Sequence, residues 1–507
     1  MRLDRPAFFH YVAGVLRKWI QIAAIGMASA VLAQTNVPAP YTPYMNVPTP
    51  GTLTPGTLTP ANPYAPNTQT LTRTPATPLA PPANPQDLAR KGFWTVKPPP
   101  PPPKQTPVVL PPPPIVAGKE TARVLFVAVE GADANDGTAE KPLQTIQQAA
   151  ERAQPGDTVF VRPGTYVGFH TVRDGRPGLP VTFRGVGEVV VNRTANTPAD
   201  NILVRHSWTV VTGFTVREAP RAGIAVLEAS DVVVSNNVCG PNRVWGIFTG
   251  FAPRVLIAGN KAFGSAEQHG IYVSNSREAN DNPVVRGNEC YANKASGIQL
   301  NGDCHMGGDG TLDGALIEGN ILHDNFSKAF SLISIRNSVV RNNLVYDNGR
   351  ESGAAGIHLT DELGCGKGST GNVIVNNTIL EPRIAGIRLT DGARGNIIFN
   401  NLIVGRGIVD EVGNNQIDER SNVRGSSRAE FFVAPATGDF RLRPGTAAGG
   451  RSEFAGKVAP AKDLLGTARQ ELVPAAGACD AACPPLPVAG QYDAAAARAW
   501  ERVKPAP

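Results

Sequence analysis

Between residues 223 and 401 short apolar runs alternate with two recurring phrases. One is a strand start of the form Gly-Ile-x-Leu or a near variant, at Gly223, Gly246, Gly270, Gly297, Gly356 and Gly386. The other is a hydrophobic run ending in asparagine, at Asn237, Asn260, Asn288, Asn320, Asn343, Asn377 and Asn401. The asparagine phrase returns after 23 residues (Asn237 to Asn260) to 34 residues (Asn343 to Asn377), the range in which solenoid coils repeat. The runs are short and lack a 3.6-residue period, so they predict strands and an all-β solenoid. Successive strand residues face opposite sides, so Ile and Leu of the first phrase point into a stacked core and x points out. Asparagine suits the bends, because it tolerates left-handed backbone and its amides can bond along a ladder at strand spacing.

An open solenoid end exposes core and unpaired strand edges, so a capping element is required. The run from Thr145 to Ala153 predicts a short amphipathic helix, ended by Pro155-Gly156 before a strand at 158–161. The chain opens with Gly-Ala-Asp-Ala-Asn-Asp-Gly-Thr-Ala-Glu-Lys-Pro at 131–142 and Pro-Gly-Asp-Thr-Val-Phe-Val-Arg-Pro-Gly-Thr-Tyr at 155–166. With the Asn-rich coils, these phrases resemble exported right-handed parallel β-helix proteins of the pectate-lyase-like superfamily, over about residues 122–445. The resemblance implies the fold and leaves the reaction open, since that superfamily holds lyases, hydrolases, epimerases, phage tailspikes and proteins without known activity. It also implies a closing strand in Asp439-Phe-Arg-Leu-Arg-Pro-Gly.

Composition divides the 507-residue chain further. Residues 1–33 carry Arg17 and Lys18, an apolar run from Trp19 to Leu32 and a small-residue cleavage site ending at Ala33, which predicts a signal peptide. An uncleaved anchor is the alternative, although the run is short for a membrane span. No other segment is apolar enough to span a bilayer, so the expected location is periplasmic, cell-surface or secreted. Residues 34–118 are rich in Pro and Thr, cannot bury a core, and predict a disordered, semi-rigid spacer. The β-helix domain is expected over 119–450, with an Ala- and Pro-rich extension over 451–507. A net charge of +6 without a basic cluster argues against nucleic acid and suits an acidic polysaccharide. Oligomeric state is not encoded in these features.

Reading x down the coils gives Ala225, Phe248, Tyr272, Gln299, Ser331, His358 and Arg388. From Tyr272 to Arg388 this predicts a polar stripe of roughly 20 Å, long enough for several sugar units. Its aromatic, amide and basic groups suit a uronate chain, although any solenoid surface is polar. Two loop insertions, 302–313 and 362–369, would wall this face. For a polyuronate lyase or C5 epimerase, His358 or His269 would be the base, Arg388 and Gln299 the carboxylate clamp, and Tyr272 the donor to the leaving oxygen, with Ser331 and Asn301 binding substrate. The repeated Leu-Thr-Asp brings Asp361 and Asp391 into one column, about 5 Å apart, as a retaining-hydrolase pair, as ligands for Ca2+, or as bend residues capping amides. Asp303, with Asp309 and His305, could join such a metal site. An adjacent Asp-Asp pair with a following catalytic lysine, as in well-characterised pectate lyases, is not found. Cys239 and Cys290 fall two coils apart in one column, beyond disulfide reach, whereas Cys304 with Cys365, and Cys479 with Cys483, are candidate pairs. A phosphate loop and a dinucleotide fingerprint are missing, so no nucleotide or redox cofactor is expected. The function expected is binding and modification of an acidic polysaccharide by β-elimination or C5 epimerisation. The alternatives are a noncatalytic glycan-binding surface or envelope protein and a glycoside hydrolase using Asp361 and Asp391.

Overall fold

The computed structural model describes residues 122–443, except 195–198, 276, 278–280, 351–353, 382–383 and 438, together with 446 and 477. The expected signal peptide, the spacer, Cys479, Cys483 and nearly all of the C-terminal extension lie outside the described residues. Within these limits the chain is a right-handed parallel β-helix of about 10 turns. Three parallel sheets of twelve, ten and eleven strands run its length. Each full coil contributes a Gly-Ile-x-Leu strand to the ten-stranded sheet, then a strand to the twelve-stranded sheet, then one to the eleven-stranded sheet. The coil from Ala222 shows the pattern, with strands Ala222–Leu227, Val233–Ser235 and Val238–Cys239.

Alternation sorts the side chains as the pleat requires. Ile247, Ile271, Ile298, Phe330, Ile357 and Ile387 stack in register inside the ten-stranded sheet and are fully buried. The strand-start glycine has a packing cause: a Cβ on Gly270 would come within 2.7 Å of the Asn293 amide and 2.8 Å of the Gly297 carbonyl. The coils sit too close at this corner for any side chain.

The asparagines form ladders, with one difference from the expected backbone. Left-handed φ belongs to the residue before each ladder asparagine, namely Asn236, Gly259, Gly287, Gly319, Asn342, Asn376 and Asn400. The ladder side chain itself turns inward. In each coil Oδ1 accepts both the backbone N–H and the side-chain N–H of the asparagine one coil earlier, as Asn320 does for Asn288, both at 3.0 Å. The chain of bonds runs without a break from Asn237 to Asn422. A second ladder, Asn293–Asn325–Asn348, ends on the buried carboxylate of Glu381. A third, Asn372–Asn396–Asn415, lines the remaining corner.

The N-terminal end is closed by a helix. Helix α1, Ile146–Arg152, is capped by Thr145, whose side chain accepts the Gln148 N–H, and it buries Ile146, Ala149 and Ala150 against the first coil. Asp133 of the opening phrase accepts the Gln144 and Thr145 amides, so that phrase builds the cap. Near the other end Phe432–Ala434 and Asp439–Leu442 pair antiparallel, and Phe431, Phe432 and Phe440 cover Tyr346, Leu380 and Leu402 on the outside of the eleven-stranded sheet. Cys239 and Cys290 are buried free thiols, with Ala262 between them in register.

Candidate functional site

The outward positions of the ten-stranded sheet form one column: Ala225, Phe248, Tyr272, Gln299, Ser331, His358 and Arg388 pair in sequence, and Val409 follows. The column is in register but not open. Ala225 is 0 %, Phe248 5 % and Ser331 4 % exposed, so the stripe is a partly covered floor, not the exposed polar face expected from its letters.

At its upstream end the floor is aromatic. Trp245 stacks on Phe248 at 4.5 Å, Phe248 meets Tyr272 at 5.4 Å, and His269 stands edge-on to Tyr272 at 5.6 Å. Trp245 is half-buried at the strand start.

The two insertions are walls on one side, and the structure ties them together. Cys304 and Cys365 form a disulfide with their Cα atoms 6.1 Å apart, bridging loops that belong to different coils. Glu362 reaches across to accept the Cys304 N–H at 2.8 Å, and His305 Nε2 lies 3.0 Å from the Leu363 carbonyl oxygen. Beneath the walls Tyr272 places its hydroxyl 2.7 and 2.8 Å from the two oxygens of Asp303, and Asn301 donates to Asp303 at 2.8 Å. Burial, with the nearby Glu362 charge adding to it, pushes Asp303 up to about 7. Burial and Asp303 hold the Tyr272 hydroxyl well above its usual range, so it stays protonated.

The two candidate histidines differ in the nitrogen they present. His269 Nδ1 accepts the Ser296 backbone N–H at 3.0 Å, so the neutral ring carries its proton on Nε2 and has no basic lone pair left. His358 is the reverse. Its Nε2 lies 2.9 Å from Thr390 Oγ1, Thr390 donates to Thr360 at 3.0 Å, and Thr360 lies 3.3 Å from an Asp391 carboxylate oxygen. The Asp391 carboxylate and the Asp361 carbonyl oxygen, 3.4 Å from Thr360 Oγ1, both only accept, so the chain has one direction: Thr360 donates outward to them, Thr390 to Thr360, and His358 Nε2–H to Thr390. The lone pair is therefore on Nδ1, a buried atom with no hydrogen-bond partner. Burial, then the charges of Lys328 and Arg388, push His358 down to about 3, and burial with Lys328 does the same to His269.

Lys328 was not foreseen from the sequence. It stands one residue before the strand start at Ala329, as His269 stands before Gly270 and Ser296 before Gly297, and this shared position was the available signal. Its positive charge contributes to lowering both histidines. Arg388, expected as a carboxylate clamp, is itself paired with Glu411 at 2.8 Å.

Among the described residues Asp303, Asp361 and Asp391 do not form one three-ligand cluster, although Asp361 and Asp391 follow strands paired in register in adjacent coils. Asp361 accepts from Ser334 Oγ at 3.0 Å and from the Lys367 amide at 3.1 Å, while Asp391 ends the threonine relay. Asp361 thus has the amide-capping bend role. Asp303 spends both oxygens on Tyr272. Among the described residues the one cluster of three metal-ligating side chains is Cys304, His305 and Cys365. Asp303, Asp361 and Asp391 do not fit a shared calcium site, and no step below runs through one.

The fold places the chain among known proteins. At 14% identity it superimposes on the crystal structure of pectate lyase Pel9A with a TM-score of 0.53, over 72% of this chain and 97% of that one. In sequence it is 34% identical over 144 residues to the uncharacterized protein YwoF of Bacillus subtilis, 25% of this chain and 29% of that one. It is 29% identical over 129 residues to a mannuronan C5-epimerase of Pseudomonas putida, 25% of this chain and 23% of the epimerase. It is 34% identical over 83 residues to the pectate lyase PEL9 of Emericella nidulans, 15% of this chain and 20% of the lyase. The chain thus spans less than a third of each curated relative. Residues 125–401 match the Pel9A-like right-handed β-helix region, and the chain belongs to that family.

Proposed function

We propose that this protein binds an acidic polysaccharide along the ten-stranded sheet and removes the C5 proton of a uronate unit, leading to β-elimination or to C5 epimerisation. The observation that carries the reading is the relay from His358 through Thr390 and Thr360 to Asp391, which sets the tautomer of an imidazole kept neutral by burial, with the lone pair on Nδ1. A base fixed in one tautomer beside a cation is what abstraction next to a carboxylate needs. Two sequence relatives, a mannuronan C5-epimerase and a pectate lyase, support the substrate class.

In this reading the substrate carboxylate sits by Lys328, with Arg388 beyond it, and the sugar ring upstream stacks on Trp245. Burial is the larger cause of the low His358 value and remains when substrate binds, while an anionic substrate offsets the smaller contributions of Lys328 and Arg388. Nδ1, which is buried in the free chain, must be uncovered on binding to take the C5 proton, and Lys328 balances the charge developing on the carboxylate oxygens. In elimination the C4–O bond then breaks. In epimerisation a proton returns to C5 from the opposite face. Tyr272 stays protonated and gives its one hydroxyl hydrogen to Asp303, so the expected donation to the leaving oxygen is not available from it. Export, which would bring the protein to such a polymer, rests on the signal-like residues 1–33.

The test is the purified chain on a panel of uronate polymers, with and without added Ca2+ or chelator. Unsaturated ends seen by ultraviolet absorbance are the lyase result, and altered C5 configuration by NMR without cleavage is the epimerase result. Reducing ends without unsaturation would move the assignment to hydrolysis. Retained binding without any change to the polymer would leave a glycan-binding protein and overturn the proposal.

A further inference from the structure

The groove wall holds a second arrangement of chemically competent groups, away from the His358 relay. Cys304 and Cys365 bridge the two wall loops, and one donor atom from each of Cys304, His305 and Cys365 lies within 4.8 Å of the others. His305 Nε2 is 3.8 Å from Cys365 Sγ, and a Glu362 oxygen is 3.7 Å from the same sulfur. Two sulfurs and an imidazole nitrogen converge as three donors for a tetrahedral zinc-like ion, with the fourth position left to Glu362, 3.7 Å from one sulfur, or to water.

We propose that reduction of the Cys304–Cys365 bridge converts this wall into a binding site for a borderline divalent cation such as Zn2+. Disulfide and metal are alternative uses of the same two cysteines. The geometry allows the exchange: two thiolates about 2.3 Å from a tetrahedral zinc lie about 3.8 Å apart. With the Cα atoms 6.1 Å apart, side-chain rotation reaches that spacing without moving the backbone. The bridge is accessible, since Cys304 and Cys365 are half-buried, His305 is exposed, and neighbouring Leu363 is 80 % exposed at the loop tip. His305 exchanges its bond to the Leu363 carbonyl for the metal, and Glu362 is already held at the site by the Cys304 amide.

The chemistry balances with a dithiol as reductant. Two electrons and two protons pass from the dithiol to the S–S bond, giving two cysteine thiols and the oxidised, cyclic disulfide of the reductant. Zn2+ then binds the two thiolates, and two protons leave to solvent. The consequence for the groove is structural continuity. Oxidised or reduced and metal-loaded, the loops stay joined, whereas the reduced metal-free form leaves them tied only by hydrogen bonds.

The inference does not depend on the polysaccharide reading, and either can fail alone. The test uses the full chain with Cys479→Ser and Cys483→Ser, which removes the tail thiols. Chelator-stripped protein, oxidised or reduced with dithiothreitol that is then removed without air, is equilibrated with Zn2+, desalted and assayed for zinc. Expected are one zinc per reduced chain and none per oxidised chain, with thiolate charge-transfer absorption when Co2+ replaces zinc. Cys365→Ser abolishes uptake, and His305→Ala, which keeps both thiols, weakens it at least tenfold. Equal zinc in oxidised and reduced chains, or full affinity in His305→Ala, overturns the proposal. So does a reduced chain that keeps its circular dichroism and takes up no zinc. Loss of the β signature on reduction, unrelieved by Zn2+, overturns it as well.

Discussion

His358 and His269 occupy adjacent parts of one sheet, and their hydrogen bonds give them opposite roles. The Ser296 amide occupies the only acceptor nitrogen of His269, whereas the threonine relay occupies the donor nitrogen of His358. Removing the base by His358→Ala is expected to lower turnover by about 10²–10⁴-fold with polymer binding retained. Thr390→Val leaves the ring in place but lets the tautomer change, so a smaller loss is expected, in kcat and not in KM. Steady-state kinetics of the two variants check both statements. Full activity in His358→Ala would show that the base lies elsewhere. Sequence pattern reached His358 through the alternation of its strand. It could not distinguish the two histidines, because a tautomer is set by partners 27 and 32 residues away.

Coils are held together by elements that repeat, which is why most of the fold was readable. The strand starts, the inward Ile and Leu, the capping helix and the asparagine column all follow from local periodicity. The second ladder has the same periodicity: Asn293, Asn325 and Asn348 each stand five residues after Asn288, Asn320 and Asn343. What the pattern could not give lies where coils differ, in the Asp303 contact with Tyr272 31 residues away and in the Glu362 contact with Cys304 58 residues away. Insertions have no register, so only the folded chain brings such groups together. For the ladders the expected energetics are those of buried, satisfied amides. Asn320→Ala removes the acceptor for two N–H groups of Asn288 and leaves them buried without a partner. A loss of about 2–3 kcal/mol is expected by chemical denaturation. A change below about 0.5 kcal/mol would mean that the ladder is dispensable.

Along the whole solenoid two buried ionisable sites give stability a pH dependence. On the eleven-stranded sheet His323 is sandwiched between Tyr291 at 5.1 Å and Tyr346 at 4.9 Å, with Asp324 at 2.8 Å and Glu289 at 3.4 Å. Burial alone would lower His323, but Asp324 and Glu289 outweigh it and raise it. Glu289 falls to about 2 because His323 and Lys261 overcome its burial. Burial, against the hydrogen bonds from Asn348, raises Glu381 at the end of the second ladder to about 7. A raised group stabilises fully below its unfolded value and loses that contribution as pH rises through its folded value. His323 and Glu381 therefore both weaken the fold as pH rises, His323 above about 6.5 and Glu381 from about 4.5 through about 7. Glu289 acts oppositely, and its contribution is lost as pH falls from about 4.5 through about 2. Glu381→Gln keeps a neutral amide on the ladder, so its melting temperature is expected to fall less than the native chain's between pH 5 and pH 8. Parallel declines in the two proteins would remove Glu381 from the account. The same long axis that stacks these ladders sets the line of the proposed polymer site, from Trp245 past Lys328 and His358 to Arg388. The measurement that bears most directly on that site is product analysis by ultraviolet absorbance and NMR after incubating native chain and His358→Ala with polygalacturonate and with mannuronan. The account predicts unsaturated ends or inverted C5 centres on at least one polymer with the native chain, and loss of them with the variant. Unchanged polymers with the native chain, or equal product from both proteins, would contradict it.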